Sequence, residues 1–190
     1  MPRLFVAVEV PGQVKQAIAA LGHGLTGARW LPAGQLHLTI RFLGEVDAAQ
    51  STAIESGLPE GGLAPFSCHL SGVGWFPAPG RPRIVYVQVN AGPGLGLLRS
   101  AVEARLTDLG LHPEPGRFSP HITLARLKCG HGNVGEVRDF LARHAQFKCP
   151  PFVVNTYHLY ESRLTPGGAI HTRRRSYHLA YLTPPHPRQI

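Results

Sequence analysis

Two stretches decide how this chain is read: LHLTIRFLGE at residues 36–45 and PHITLARL at residues 120–127. Apolar residues alternate in both, the pattern of a strand with one face in a core. Residues two apart on a strand share a face. His37 and Thr39 therefore project together, as do His121 and Thr123, while Leu36, Leu38 and Ile40, or Ile122 and Leu124, project the other way. Each strand carries an apolar face and a short polar row of imidazole plus hydroxyl. The chain holds only these two His-x-Thr triplets, 84 residues apart. A single such triplet is an ordinary polar strand face; two in matching surroundings are not.

Around each triplet the same order of elements repeats. The first half reads as a strand from Leu4 to Val10, a helix near Gln13 to Gly22 after the Pro11-Gly12 turn, a strand from Leu36 to Leu43, a helix from Ala48 to Gly57 and a strand from Phe66 to Phe76. Pro77 to Pro82 is proline-rich and marks the expected repeat and lobe boundary. Beyond it come a strand from Ile84 to Val89, a helix from Gly94 to Leu109, a strand from His121 to Leu127, a helix from Val134 to His144 and a long strand from Phe152 to Glu161. A last strand from Ser176 to Leu182 precedes a proline-rich tail, 184–190, expected to be disordered. The flanking elements keep an offset of roughly 80–85 residues, the signature of an internal duplication around a pseudo-twofold axis.

The 190 residues suffice for one substantial core or two small lobes. At 43% hydrophobic and 16% charged the mixture is that of a globular protein, with no apolar run near the roughly 20 residues that span a membrane. A cytoplasmic protein without a secretory signal is the expectation. Three cysteines, Cys68, Cys129 and Cys149, form no CxxC pair, which argues against a disulfide framework or a structural zinc. Cys129, His131 and His144 match no zinc spacing either, so no metal and no cofactor are expected. The formal charge of +8 suits a polyanionic partner, but a merely basic protein fits it equally well.

Two facing rows of imidazole and hydroxyl are suited to a phosphate. Phosphodiester hydrolysis needs a base for the attacking water and an acid for the departing oxygen. An imidazole pKa near 6.5 allows one ring to be neutral while the other is protonated. Acid–base help is worth about 10²–10⁴-fold, so donors to the charged oxygens must supply much of the rest. Thr39, Thr123 and nearby arginines are of the right type.

At this point the residues resemble a known family. HLTIRFLGE and PHITLAR look like the two motifs of the two-histidine (2H) phosphoesterase superfamily. RLFVAVEVP at 3–11, FLGE at 42–45 and LYESRLTPGG at 159–168 are similar to its RNA 2′,3′-cyclic phosphodiesterase branch, also called 2′-5′ RNA ligase. The resemblance spans nearly the whole chain except the tail. It implies a single α+β domain over 1–183, bilobal and duplicated, with two antiparallel sheets lining a central catalytic groove and helices outside. It implies opening of an RNA 2′,3′-cyclic phosphate end to a 2′-phosphate without a metal; a monomer is a separate expectation. It further implies His121 as the base with Thr123 beside it, and His37 as the acid with Thr39 on the phosphate.

Other residues follow with less specific signals. Arg126 matches a phosphate-contacting position of that family, yet alternation puts it opposite His121, so the strand must bend before it. Arg41 shares the face of His37 by alternation and would reach the same phosphate. Phe42 is placed either to stack on a base or to fill core. Arg163 and the run Arg173-Arg174-Arg175 bracket the loop at Pro166-Gly167-Gly168 and suit an RNA backbone. His69, His158 and His178 lie on expected strands without the His-x-Thr pattern. Two other functions compete: 2′-5′ ligation by the same site, with an alcohol in place of water, and non-catalytic binding of RNA ends. No GxxxxGK[ST] stretch offers ATP to drive a ligation.

Overall fold

A computed structural model describes residues 1–77, 81–128, 134–166 and 168–180. Runs of β-branched and aliphatic residues form the strands: β1 Arg3–Glu9, β2 Ala28–Trp30, β3 His37–Glu45, β4 Phe66–Phe76, β5 Ile84–Asn90, β6 His121–Leu127, β7 Phe152–Val154, β8 Thr156–Thr165 and β9 Gly168–His178. Helices α1 Gly12–Ala19, α2 Ala48–Gly57, α3 Gly92–Asp108 and α4 Val134–Arg143 lie between them. Asp47 caps α2 by accepting the Gln50 amide at 2.7 Å, satisfying one of the free N–H groups at that helix start.

All pairings between strands are antiparallel, in two sheets: β3-β1-β8-β9 and β2-β6-β5-β4-β7. One continuous core joins them, including Ile18 of α1, Ile54 of α2, Leu98 and Val102 of α3 and Phe140 of α4. The α+β fold of two antiparallel sheets holds.

The repeat and the sheet divide the chain differently. Each sheet is built around two strands of one half plus the last strand of the other: β3 and β1 take β8, while β6 and β5 take β4. The strands on either side of the proline-rich stretch are thus neighbours in one sheet, and the chain does not change sheet there; residues 78–80 of that stretch lie outside the described residues.

Three expectations need correction. The strand expected over Phe152–Glu161 is two strands, β7 pairing with β4 and β8 pairing with β1, and the chain changes sheet at Asn155. The buried apolar positions shift there from Phe152 and Val154 to Tyr157 and Leu159, across the polar pair Asn155-Thr156, a one-residue change of phase that a single bulged strand would show equally well. The last strand starts at Gly168, not Ser176, because the arginine run carries no apolar alternation; its expected end at 181–182, like the tail, lies outside the described residues. Strand β2 has no counterpart among the expected elements, being three residues long and held by its pairing to β6.

Candidate active site

Both triplets open their strands, and in both the histidine is anchored identically. The Nδ1 of His37 lies 2.7 Å from the Gln35 carbonyl oxygen, and the Nδ1 of His121 lies 2.8 Å from that of Ser119. A carbonyl only accepts, so each Nδ1 carries the hydrogen and donates it. Each Nε2 is left as the nitrogen that can take or give a proton. Strand order is what supplies the anchor: the carbonyl two residues earlier belongs to a tight turn, Ala33–Gln35, in one case and to the segment ending Ser119-Pro120 in the other.

A β-bulge follows each histidine at the same place. In β3, Thr39 pairs with Ala7 and Arg41 with Val6, which leaves Ile40 as the extra residue; in β6, Thr123 pairs with Tyr86 and Ala125 with Val85, which leaves Leu124. A bulge shifts the alternation by one residue. Leu124 and Ala125 are both buried, and Arg126 returns to the face of His121 and Thr123. This is the bend that the sequence required.

The same bulge corrects the expectation for Arg41. It turns Arg41 onto the buried face, where the residue is 7% exposed. There Arg41 Nε donates to Glu103 at 3.2 Å, and the guanidinium also donates to the His112 carbonyl. Arg41 therefore does not share the face of His37. Phe42 takes that place instead, exposed at 53% and with its ring centroid 5.9 Å from that of Phe5.

Aromatic rings surround both histidines. His37 has Phe5 at 4.9 Å, His171 at 5.1 Å and Tyr160 at 6.5 Å between centroids; His121 has Phe76 at 5.1 Å and Tyr86 at 5.4 Å. The alternation reading misses these rings. Tyr86 and Tyr160 are findable as polar aromatics on strand faces, whereas His171 lies on β9 ahead of the strand's expected start. Gly74 matters here: a Cβ on it would come within 2.6 Å of the Tyr86 ring, so only glycine lets Tyr86 lie across β4. Burial holds the phenols of Tyr86 and Tyr160 above their ordinary pKa, so both are O–H donors.

Burial, then the neighbouring His171, Lys15 and Arg126, push His37 down to about 4. Burial and then Arg126 push His121 below its ordinary 6.5. Burial and then Arg126 also lower His171. One guanidinium on β6 thus acts on imidazoles of both sheets, which places the two motifs around one charge; β3 and β6 lie side by side where the sheets meet. The tip of the β8–β9 hairpin closes over the same end. Gln35 Nε2 donates to the Ala169 carbonyl at 2.7 Å, and Gly168 abuts the Arg29 guanidinium.

The arginine run divides. Arg173 sits 3.6 Å from Glu9 beside His37, whereas Arg174 pairs with Glu161 at 2.8 Å and Glu55 at 3.2 Å, and Arg175 with Glu60 at 3.3 Å. His158 is buried, its Nδ1 2.9 Å from Ser176 Oγ. Among the described residues no three His, Cys, Asp or Glu side chains gather as metal ligands; Cys129 and His131 lie outside those residues. No described helix is long and apolar enough to cross a membrane.

Comparison with known proteins bears on the family and the fold. A family model described as LigT like Phosphoesterase matches twice, over residues 6–86 and 87–171. An RNA 2′,3′-cyclic phosphodiesterase of Archaeoglobus fulgidus is 33% identical over 172 residues, covering 89% of this chain and 96% of its own. One from Aeropyrum pernix is 38% identical over 136 residues, 71% of this chain and 77% of its own. Among solved structures, a Thermus thermophilus protein superposes with a TM-score of 0.73 at 27% identity over 93% of this chain and 97% of that one. E. coli LigT complexed with 3′-AMP has the same fold, with a TM-score of 0.72 at 24% identity over 94% and 99%.

Proposed function

The chain belongs to the LigT-like phosphoesterase family, and on that premise we propose that it hydrolyses RNA 2′,3′-cyclic phosphate ends to 2′-phosphate ends, with His37 and His121 as an acid–base pair. The observation that carries this reading is the matched anchoring of both imidazoles, each with Nδ1 on a carbonyl and Nε2 left for proton transfer, around the single charge of Arg126.

Neutral His121 takes a proton on Nε2 from water, whose oxygen attacks phosphorus opposite the 3′ oxygen. The P–O3′ bond breaks, and His37 gives its Nε2 proton to that oxygen. The products are a 2′-phosphate and a 3′-hydroxyl. Thr39, Thr123 and Arg126 donate to the non-bridging oxygens as charge builds. His37 is neutral at pH 7 before substrate arrives; an anionic phosphate against it favours the imidazolium, so the substrate itself loads the acid. Acid, base and donors all come from the chain, and the proposed reaction needs no metal. Phe42 offers an exposed ring on which a base of the RNA can stack. Both histidines lie on one chain, so a monomer suffices, and the cytoplasm is the proposed setting.

A short RNA with a 2′,3′-cyclic end, incubated with the protein in EDTA, tests this. Conversion to the 2′-phosphate isomer at an undiminished rate is expected. A 3′-phosphate product, or activity lost in EDTA and restored by zinc or manganese, would overturn it.

A further inference from the structure

Beside His37 the four-stranded sheet opens into a pocket of about 240 Å³ lined by Glu9, Lys15, His37, Tyr160, His171 and Arg173 over a floor of Phe5 and Leu36. That is smaller than the roughly 300 Å³ at which drug-sized sites begin, and suits a single flat ring system. Its polar edge is mixed in charge. Glu9 Oε1 accepts from Lys15 Nζ at 3.1 Å, which fixes the carboxylate. Oε2 has Arg173 at 3.6 Å and His158 at 4.0 Å, both too long for a hydrogen bond, so this oxygen keeps its acceptor capacity. Arg173, about half exposed, keeps donors free beside it.

The proposed reaction says what should lie there. Its leaving oxygen is O3′, and His37 protonates it, so the ribose and its base fall on the His37 side while water enters from the His121 side. Glu9 stands opposite His37 in the β1–β3 register, and its counterpart opposite His121 in the β5–β6 register is the neutral Gln88. Of these two register positions, only the one beside His37 carries a carboxylate.

We propose that this pocket is a guanine site for the terminal nucleotide, an inference that rests on the reaction proposed above. The Glu9 carboxylate accepts from guanine N1–H and N2–H, the Arg173 guanidinium donates to O6, and Tyr160 and His171 border the ring. Guanine alone among the four bases sets two N–H donor groups side by side for a carboxylate, next to a carbonyl for the cation. Adenine has the same ring area but presents the lone pair of N1 to Glu9, leaving the carboxylate without a partner there.

The test is calorimetric binding of the four nucleoside 2′-monophosphates to the full chain, with kcat/KM for the four 2′,3′-cyclic mononucleotides in parallel. Guanosine should exceed adenosine on the order of 10- to 100-fold in both, the discrimination of a good bidentate contact. Glu9→Gln should bring that ratio to near one, because an amide NH₂ opposes guanine N2–H₂ and its oxygen serves adenine N6–H₂ equally well. Arg173→Ala should lower it less. Hydrolysis without base preference, or a ratio unmoved by Glu9→Gln, overturns the guanine site. Guanosine-selective binding without any hydrolysis upholds the pocket and overturns the catalytic reading instead.

Discussion

The strand beginning at His37 and the strand beginning at His121 agree in the features that the proposed proton transfers use and differ in those that would orient a substrate. Both anchor Nδ1 on the carbonyl two residues back, both set a threonine two residues on, and both bulge one residue later. Past the bulge they part: Arg41 and Phe42 in one, Ala125 and Arg126 in the other. Across the neighbouring strands, Ala7 faces His158 in one sheet where Tyr86 faces Gly74 in the other, so bulk moves from one strand to its partner. A cyclic phosphate is chemically near-symmetric in its two ester oxygens, and a symmetric site would open either. The differences between the halves are what can make one ester oxygen leave.

The most damaging test of this comparison removes the imidazoles. His37→Ala and His121→Ala should each lower kcat/KM on a cyclic mononucleotide by about 10³-fold or more, and the double variant should fall little further, because residues acting as one unit are not additive. A His37→Ala protein that kept most of its rate would leave a single-base mechanism and no partnership to compare.

The next test concerns the position where the halves diverge into structure. Arg41→Ala should cost about 3 kcal/mol in urea unfolding, the low end for breaking a buried pair, since Arg99 still faces Glu103 at 3.5 Å. Its kcat/KM should barely move. A large kinetic loss with stability intact would return Arg41 to the phosphate.

Protonation offers a sharper instrument. Turnover needs one ring neutral and one protonated, so kcat/KM rises through the lower free-protein pKa and falls through the higher. With His37 near 4 and His121 below 6.5, the falling limb should begin below pH 6.5, losing about tenfold per unit above it. The limb in kcat should lie higher, because bound phosphate raises both. In proton NMR of the free protein His37 should titrate at the lower pH, being more deeply buried and with more like charge around it. A reversed order would move the heavier burial penalty to the other half.

The smallest effect separates the equivalent residues Phe42 and Arg126. Arg126→Ala should reduce kcat/KM on a cyclic mononucleotide about 10- to 100-fold, as loss of a charged phosphate donor, and raise the midpoints of His37, His121 and His171 together. Phe42→Ala should act weakly on a mononucleotide and more strongly on longer RNA. Equal losses on both substrates would erase the distinction.

Much of this is legible in the sequence because it is local. The His-x-Thr rows, the order of elements and the need for a bend before Arg126 all lie within a few residues of one another. What escapes depends on partners far along the chain. The bulges at Ile40 and Leu124 are set by register against β1 and β5, and without them alternation misplaces Arg41. The exchange of β4 and β8 and the short β2 leave no mark in hydrophobic period, and the change of sheet at Asn155 leaves only a one-residue shift of phase. Arg173, Arg174 and Arg175 read as one tract, and only the carboxylates of Glu9, Glu161, Glu55 and Glu60 sort them into a pocket residue and two residues held in surface ion pairs.

The exchange of strands also governs when the molecule can come into being. Val6 pairs with Leu159, about 150 residues later, so the sheet that carries His37 stays open at β1 until nearly the whole chain exists. Closing so long a loop is slow compared with a hairpin. During synthesis the second histidine's sheet has β4, β5 and β6 in hand well before the first histidine's sheet has β8. A growing chain therefore holds its older motif unfinished while the younger one is already framed, and a product that ends before β8 carries the proposed site only in part.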